Sequence, residues 1–161
     1  METYSISLKE GGELVLDNLK SDFLLIPAST IEKMGESLYK IVGPAASVHL
    51  REIGRSIGRA LVEVLKHERS DLGAQNYIEA IAHYLERAGF GNVEVKDHGE
   101  HYDILIKNPP SLRHKADGVQ KCSFEAGLIR GALEAITDKR WKVEVDNTVN
   151  ETCCLLHITP A

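Results

Sequence analysis

A chain of 161 residues is long enough for one domain with a real hydrophobic core. Its 43% hydrophobic and 27% charged residues match an ordinary globular protein, which excludes fibrous and low-complexity classes. A formal net charge of −5 gives no general attraction to phosphate backbones or anionic lipid, so neither nucleic acid nor a membrane surface is expected as a partner.

The first 26 residues read as short strands. Glu13–Leu16 and Phe23–Ile26 are apolar runs bounded by Gly11-Gly12 and by Asn18, Ser21 and Asp22. After Pro27, Ser29 or Thr30 is placed to cap a helix over 31–42, in which Ile31, Met34, Leu38 and Ile41 recur at helical spacing until Gly43-Pro44. A longer helix over 45–66 follows. Leu50, Ile53, Ile57, Leu61, Val64 and Leu65 form its apolar stripe, and Arg51, Arg55, Arg59 and Glu63 its solvated one. Beyond the polar link at His67–Asp71, a third helix over 72–88 carries Tyr77, Ile78, Ile81, Tyr84 and Leu85, with Gly89 as its stop.

Val93 and Val95 alternate with charged residues, Asp97–Glu100 makes a turn, and Tyr102–Ile106 returns as a second strand. A polar loop runs from Asn108-Pro109-Pro110 to about Val119, and a fourth helix spans 123–137. A hairpin over 142–158 closes the chain around a turn at Asn147–Glu151. Strands made in hairpins predict an α+β domain over residues 1–161, with helices packed on an antiparallel sheet. The N-terminus lacks the basic and apolar regions of a signal peptide, and every long apolar stretch is broken by charge. A cytoplasmic protein with no membrane span is expected.

Three features carry possible chemistry. Gly54 and Gly58 stand one turn apart in the second helix, and Gly127 and Gly131 repeat that spacing in the fourth. A glycine inside a helix costs about 1 kcal/mol against alanine, so each pair needs a reason. Either another helix approaches closely, or a ligand lies against bare backbone. Cys122 precedes the fourth helix, where a thiol pKa is lowered, yet a small apolar packing role also fits. Cys153 and Cys154 lie on the last strand and face opposite sides of the sheet. Cys153 and His157 share a face but stand roughly 13 Å apart, too far to bind one metal together. Three cysteines, two of them adjacent, make a poor disulfide framework, and reduced thiols are expected. No phosphate-cradling loop, dinucleotide fingerprint, nucleophile elbow or His-Glu-x-x-His helix is present, so a catalytic role is not expected. His98 and His101 flank a turn and read as solvated.

The run from Cys122 through Gly127 to Gly131-Ala132-Leu133-Glu134-Ala135, the hairpin Val143-Glu144-Val145 and the closing Cys154-Leu155-Leu156-His157-Ile158 resemble the 4-vinyl reductase domain family. Gly54-Arg55-Ser56-Ile57-Gly58 looks like that family's glycine-bearing second helix. The resemblance implies the ligand-binding fold of nitric-oxide signalling and Golgi-transport proteins, shared with vesicle-tethering subunits. It also implies a homodimer and a non-catalytic sensor or carrier module for a small apolar or aromatic ligand. The alternatives are an accessory or enzyme in tetrapyrrole vinyl reduction, and a structural scaffold with a filled core.

Combined with the glycine pairs, this places a ligand against Ile53, Gly54, Ile57, Gly58, Leu61, Phe124, Gly127, Leu128 and Gly131, with Leu133 nearby. By position, the resemblance selects Cys122, Cys154 and Glu144 as zinc ligands, with Asp146 and Cys153 in reserve. The chain departs from the family in having Asp146, or Thr148, where metal-binding members have a further cysteine, and it lacks their turn glycine. With no ATPase or DNA-binding domain in these residues, any signal is expected to pass through a protein partner.

Overall fold

A computed structural model describes residues 6–8, 14–16, 22–23, 26–68, 74–146 and 151–161. Glu13, Leu24, Leu25, the start of the third predicted helix and the predicted turn at 147–150 lie outside them.

Strands β1 (Ile6–Leu8), β2 (Leu14–Leu16) and β3 (Asp22–Phe23) pair antiparallel in that order. Helix α1 covers Thr30–Val42 with Ser29 at its N-cap, although no side chain completes the cap. Gly43 ends it at φ 61°, a left-handed value that glycine tolerates, and Pro44 lies in a single 3-10 turn leading into α2, Ala46–Glu68. Helix α3 covers Ala74–Arg87.

The main sheet has the order β4-β5-β7-β6, all antiparallel. It is built from β4 (Asn92–Asp97), β5 (Tyr102–Lys107), β6 (Trp141–Asp146) and β7 (Cys153–Pro160). Between β5 and β6 come a short helix α4 (Pro110–Arg113) and the central helix α5 (Ser123–Thr137). The sequence reads the α4 region as loop. Pro109 and Pro110 supply the loop signal, but Pro110 sits in the first turn, where its missing N–H costs nothing.

Alternation along the strands divides the sheet into two faces. Ile104, Ile106, Trp141, Val143, Cys154, Leu156 and Ile158 point inward and are buried. Asp103, Glu144 and His157 form a row across the outer face, because the registers pair Asp103 with His157 and His157 with Glu144. Helix α5 is covered on nearly every side: Ser123 to Ile129 and Gly131 to Glu134 are all buried. One side of α5 meets the sheet and another meets α2, which makes it the centre of the molecule. No helix among the described residues is long and apolar enough to cross a membrane.

Candidate functional site

The two glycine pairs face each other. A Cβ on Gly54 would strike the Phe124 carbonyl, and one on Gly58 the Leu128 carbonyl. One on Gly127 would strike the Arg51 carbonyl, and one on Gly131 the Arg55 carbonyl. The register rises together on both helices, so α2 and α5 run parallel with their backbones nearly touching. Of the two readings open for the glycines, close helix packing is the one the structure displays, and no ligand space separates the helices there.

The seam carries an ionic lock. Glu134 is buried at 6% exposure and accepts hydrogen bonds from Arg55 Nε at 2.8 Å, Arg59 Nη2 at 2.7 Å and Arg130 Nε at 3.0 Å. Burial acts to raise the Glu134 pKa, but the three guanidinium groups together outweigh it and hold the carboxyl below its usual range. In the sequence Arg55 and Arg59 read as part of a solvated stripe, and nothing there singles out Glu134. The available signal was a row of arginines beside a glycine seam, with too few acids on its own helix to neutralise it.

The other expected pocket residues scatter. Ile57 is 44% exposed, Ile53 packs partly against the core, and Leu61 and Leu128 are buried within it. Phe124 stacks on Phe90 with ring centroids 6.1 Å apart. Leu133 alone among the expected residues borders an internal void, which lies elsewhere, between α3, α5 and the β4–β5 hairpin. Ile78, Ile81 and Ala82 enclose it from α3, Val93, Val95 and Ile104 from the sheet, and Ile129, Ala132 and Ile136 join Leu133 from α5. Its wall is wholly apolar and its volume is about 10 Å3, barely that of one water-sized sphere.

Cys122 and Cys154 come together, as the resemblance requires, but joined to each other in a disulfide with Cα atoms 6.1 Å apart. This corrects the expectation of reduced thiols. Cysteine spacing cannot reveal that the N-cap of α5 meets the start of β7. Pairing of Cys154 with Ile106 turns its side chain inward to the place where Cys122 sits. Cys122 is held at φ 58°, a left-handed conformation uncommon for a non-glycine residue.

Glu144 is not with the two sulfurs. It lies on the outer face, where it pairs with Lys142 at 2.7 Å. Asp146 is outside as well, 3.5 Å from His157 Nε2, and Cys153 lies on the outer face opposite Lys107. Among the described residues no three His, Cys, Asp or Glu side chains are grouped to hold a metal. The donors present therefore do not fit a tetrahedral zinc site, which needs about four ligands.

One further group went unnoticed in the sequence. Glu125, in the first turn of α5, is fully buried at 1% exposure. Its Oε1 accepts from the Ser111 N–H at 3.1 Å, while its Oε2 and the Ser111 hydroxyl are buried with no partner among the described residues. Desolvation raises its pKa. On the outer face, Asp103 bridges His157 Nδ1 at 2.7 Å and His98 Nε2 at 3.1 Å. The hydrogen bond to Asp103 raises the His157 pKa.

Comparison with known proteins places this architecture. The phenol-responsive sensory domain of the transcription activator PoxR superposes on 96% of this chain and 84% of its own, with a TM-score of 0.78 and 16% identity. A vinyl-4-reductase family protein from Methanocaldococcus jannaschii covers 86% of this chain and 84% of its own, with a TM-score of 0.53 and 21% identity. An H-NOX protein covers 89% and 78%, with a TM-score of 0.59 and 13% identity. The chain thus has the fold of the vinyl-4-reductase, PoxR sensory and H-NOX proteins, and the sequence-based expectation of an α+β domain with helices packed on an antiparallel sheet is correct. In sequence it is 35% identical over 104 residues to an uncharacterised protein of Methanocaldococcus jannaschii, and that match spans about half of the relative's length (54%). No family model matches the chain.

Proposed function

We propose that this chain belongs to the 4-vinyl reductase domain family and acts as a non-catalytic, sensor-like module that takes up a small hydrocarbon in its core. The observation that carries the reading is the wholly apolar void between α3, α5 and β4–β5, in a fold shared with a phenol-responsive sensory domain. At about 10 Å3 the void is a point of weakness rather than a finished pocket. Ligand entry needs α3, which lies on the outside of α5 and β4, to move outward. Among the described residues no polar side chain borders the void, so a phenol would bury its hydroxyl without a partner there, a cost of roughly 1–3 kcal/mol on mutational scales. Toluene suits the wall better than phenol does.

Apolar side chains left in water on α1 and α2, among them Ile41, Val42 and Val48, support a homodimer or a protein partner that would carry the signal onward. The same reading takes the protein to work in the cytoplasm. A second reading, a structural scaffold with a filled core, is favoured by the small size of the void. Thermal melts separate the two. A ligand at about ten times its Kd stabilises by roughly 1.4 kcal/mol, so saturating toluene is expected to raise Tm by about 3–5 °C and phenol by much less. Equal melting with and without toluene leaves the scaffold reading standing.

A further inference from the structure

An open groove of about 530 Å3 lies between α2, α5 and the edge strand β6, far from the apolar void in character. Arg51, Gln120, Arg130, Trp141, Lys142 and Val145 are among its walls. Its charges are unequal in an informative way. Lys142 is matched by Glu144, which also borders the groove, at 2.7 Å. Arg130 donates through Nε to Glu134, the carboxylate it shares with Arg55 and Arg59. Glu52 is engaged by Arg55 at 3.1 Å.

Arg51 is the exception. It is half-buried, and it makes no side-chain hydrogen bond or ion pair among the described residues. Among the described residues the ion pairs of Arg55, Arg59 and Arg130 go to Glu134 and Glu52, so with Arg51 four guanidinium groups stand beside two carboxylates along the seam. Burial, and then repulsion from Arg130, lower the Arg51 pKa, and the attraction of Glu52 does not make up for them.

We propose that this groove binds a small organic carboxylate, whose charged group is received by Arg51 and whose apolar body lies against Val145 and the edge of Trp141 that the groove reaches. A guanidinium offers a planar fork that matches a carboxylate in two parallel hydrogen bonds. The groove is far larger than an inorganic ion needs, and tryptophan and valine beside the arginines suit an aromatic or aliphatic body. A phosphate dianion would call for a second uncommitted cation, and Lys142 is already paired. The site is independent of the hydrocarbon void, so either can fail alone.

Trp141 is the single tryptophan and borders the groove, so its indole N–H resonance in 15N-labelled protein reports binding there. Benzoate is expected to shift that resonance saturably, and its uncharged counterpart benzamide to bind about tenfold more weakly or worse. Phenylphosphate is expected to bind no more tightly than benzoate. Arg51→Gln is expected to weaken benzoate by about tenfold while melting no lower than the parent, because an unpaired charge is removed. Ile81→Phe, which fills the void, is expected to leave benzoate binding unchanged. The proposal is overturned by any of four results: no saturable shift, equal affinity for benzoate and benzamide, parental affinity in Arg51→Gln, or loss of benzoate in Ile81→Phe alone.

Discussion

Glu125 and Glu134 lie on the same helix under opposite electrostatic conditions. Glu134 is surrounded by Arg55, Arg59 and Arg130 and stays ionised. Glu125 has only the Ser111 N–H on one oxygen and nothing among the described residues on the other, so burial favours its neutral form. The sign of the linkage follows. In the unfolded chain a glutamate ionises near pH 4.3, whereas in the fold Glu125 holds its proton to higher pH. Its contribution to stability is present below the unfolded pKa and is lost as pH rises through the folded one. Glu125→Gln cannot ionise, so its Tm relative to the parent is expected to climb between about pH 4 and pH 8. Melts across that range check this, and a difference constant with pH would contradict it. Neither glutamate was legible in the sequence, because burial is decided by α5 lying between sheet and α2, and an acidic residue in a helix reads as solvated.

The pairing of α2 with α5 is the element on which the rest is assembled. An alanine in place of a helical glycine ordinarily gains about 1 kcal/mol. Here the added methyl meets main chain, which cannot rotate aside as a side chain can. Gly58→Ala and Gly131→Ala are each expected to force the helices apart and cost about 2–4 kcal/mol. That corresponds to a fall in Tm on the order of 10 °C. A variant melting with or above the parent would mean that the helices do not touch there.

The helices themselves were largely legible, since periodic apolar stripes place α1, α2 and α5 within a residue or two of their observed bounds. The inward and outward faces of β7 followed from alternation alone. What the stripes could not say is which helix each glycine pair meets. One sequence cannot distinguish a missing side chain that admits a neighbour from one that admits a ligand. The void lies away from the glycine pairs, where no stripe points to it. It forms where Ile78 and Ile81 of α3 meet Val93 and Ile104 of the sheet, a junction of elements distant in sequence.

For the whole molecule, the Cys122–Cys154 disulfide ties the start of α5 to β7 across a separation of 32 residues. On chain-entropy grounds such a closure contributes about 3–4 kcal/mol. Reduction is therefore expected to lower Tm on the order of 10 °C, and chelators to leave it unchanged. In denaturant without reductant a single thiol, Cys153, should titrate. Finding all the cysteines reactive, with Tm falling on chelation, would instead support a metal between Cys122 and Cys154.

Uptake of a hydrocarbon, as proposed, requires the core to open at α3. Intermolecular nuclear Overhauser effects between toluene and 13C-labelled isoleucine and leucine methyls test it most directly. Saturable contacts to Ile78, Ile81, Ile129 and Leu133 are expected. Contacts confined to Ile53, Ile57 and Leu61 on α2, or no saturable contact at all, would contradict it.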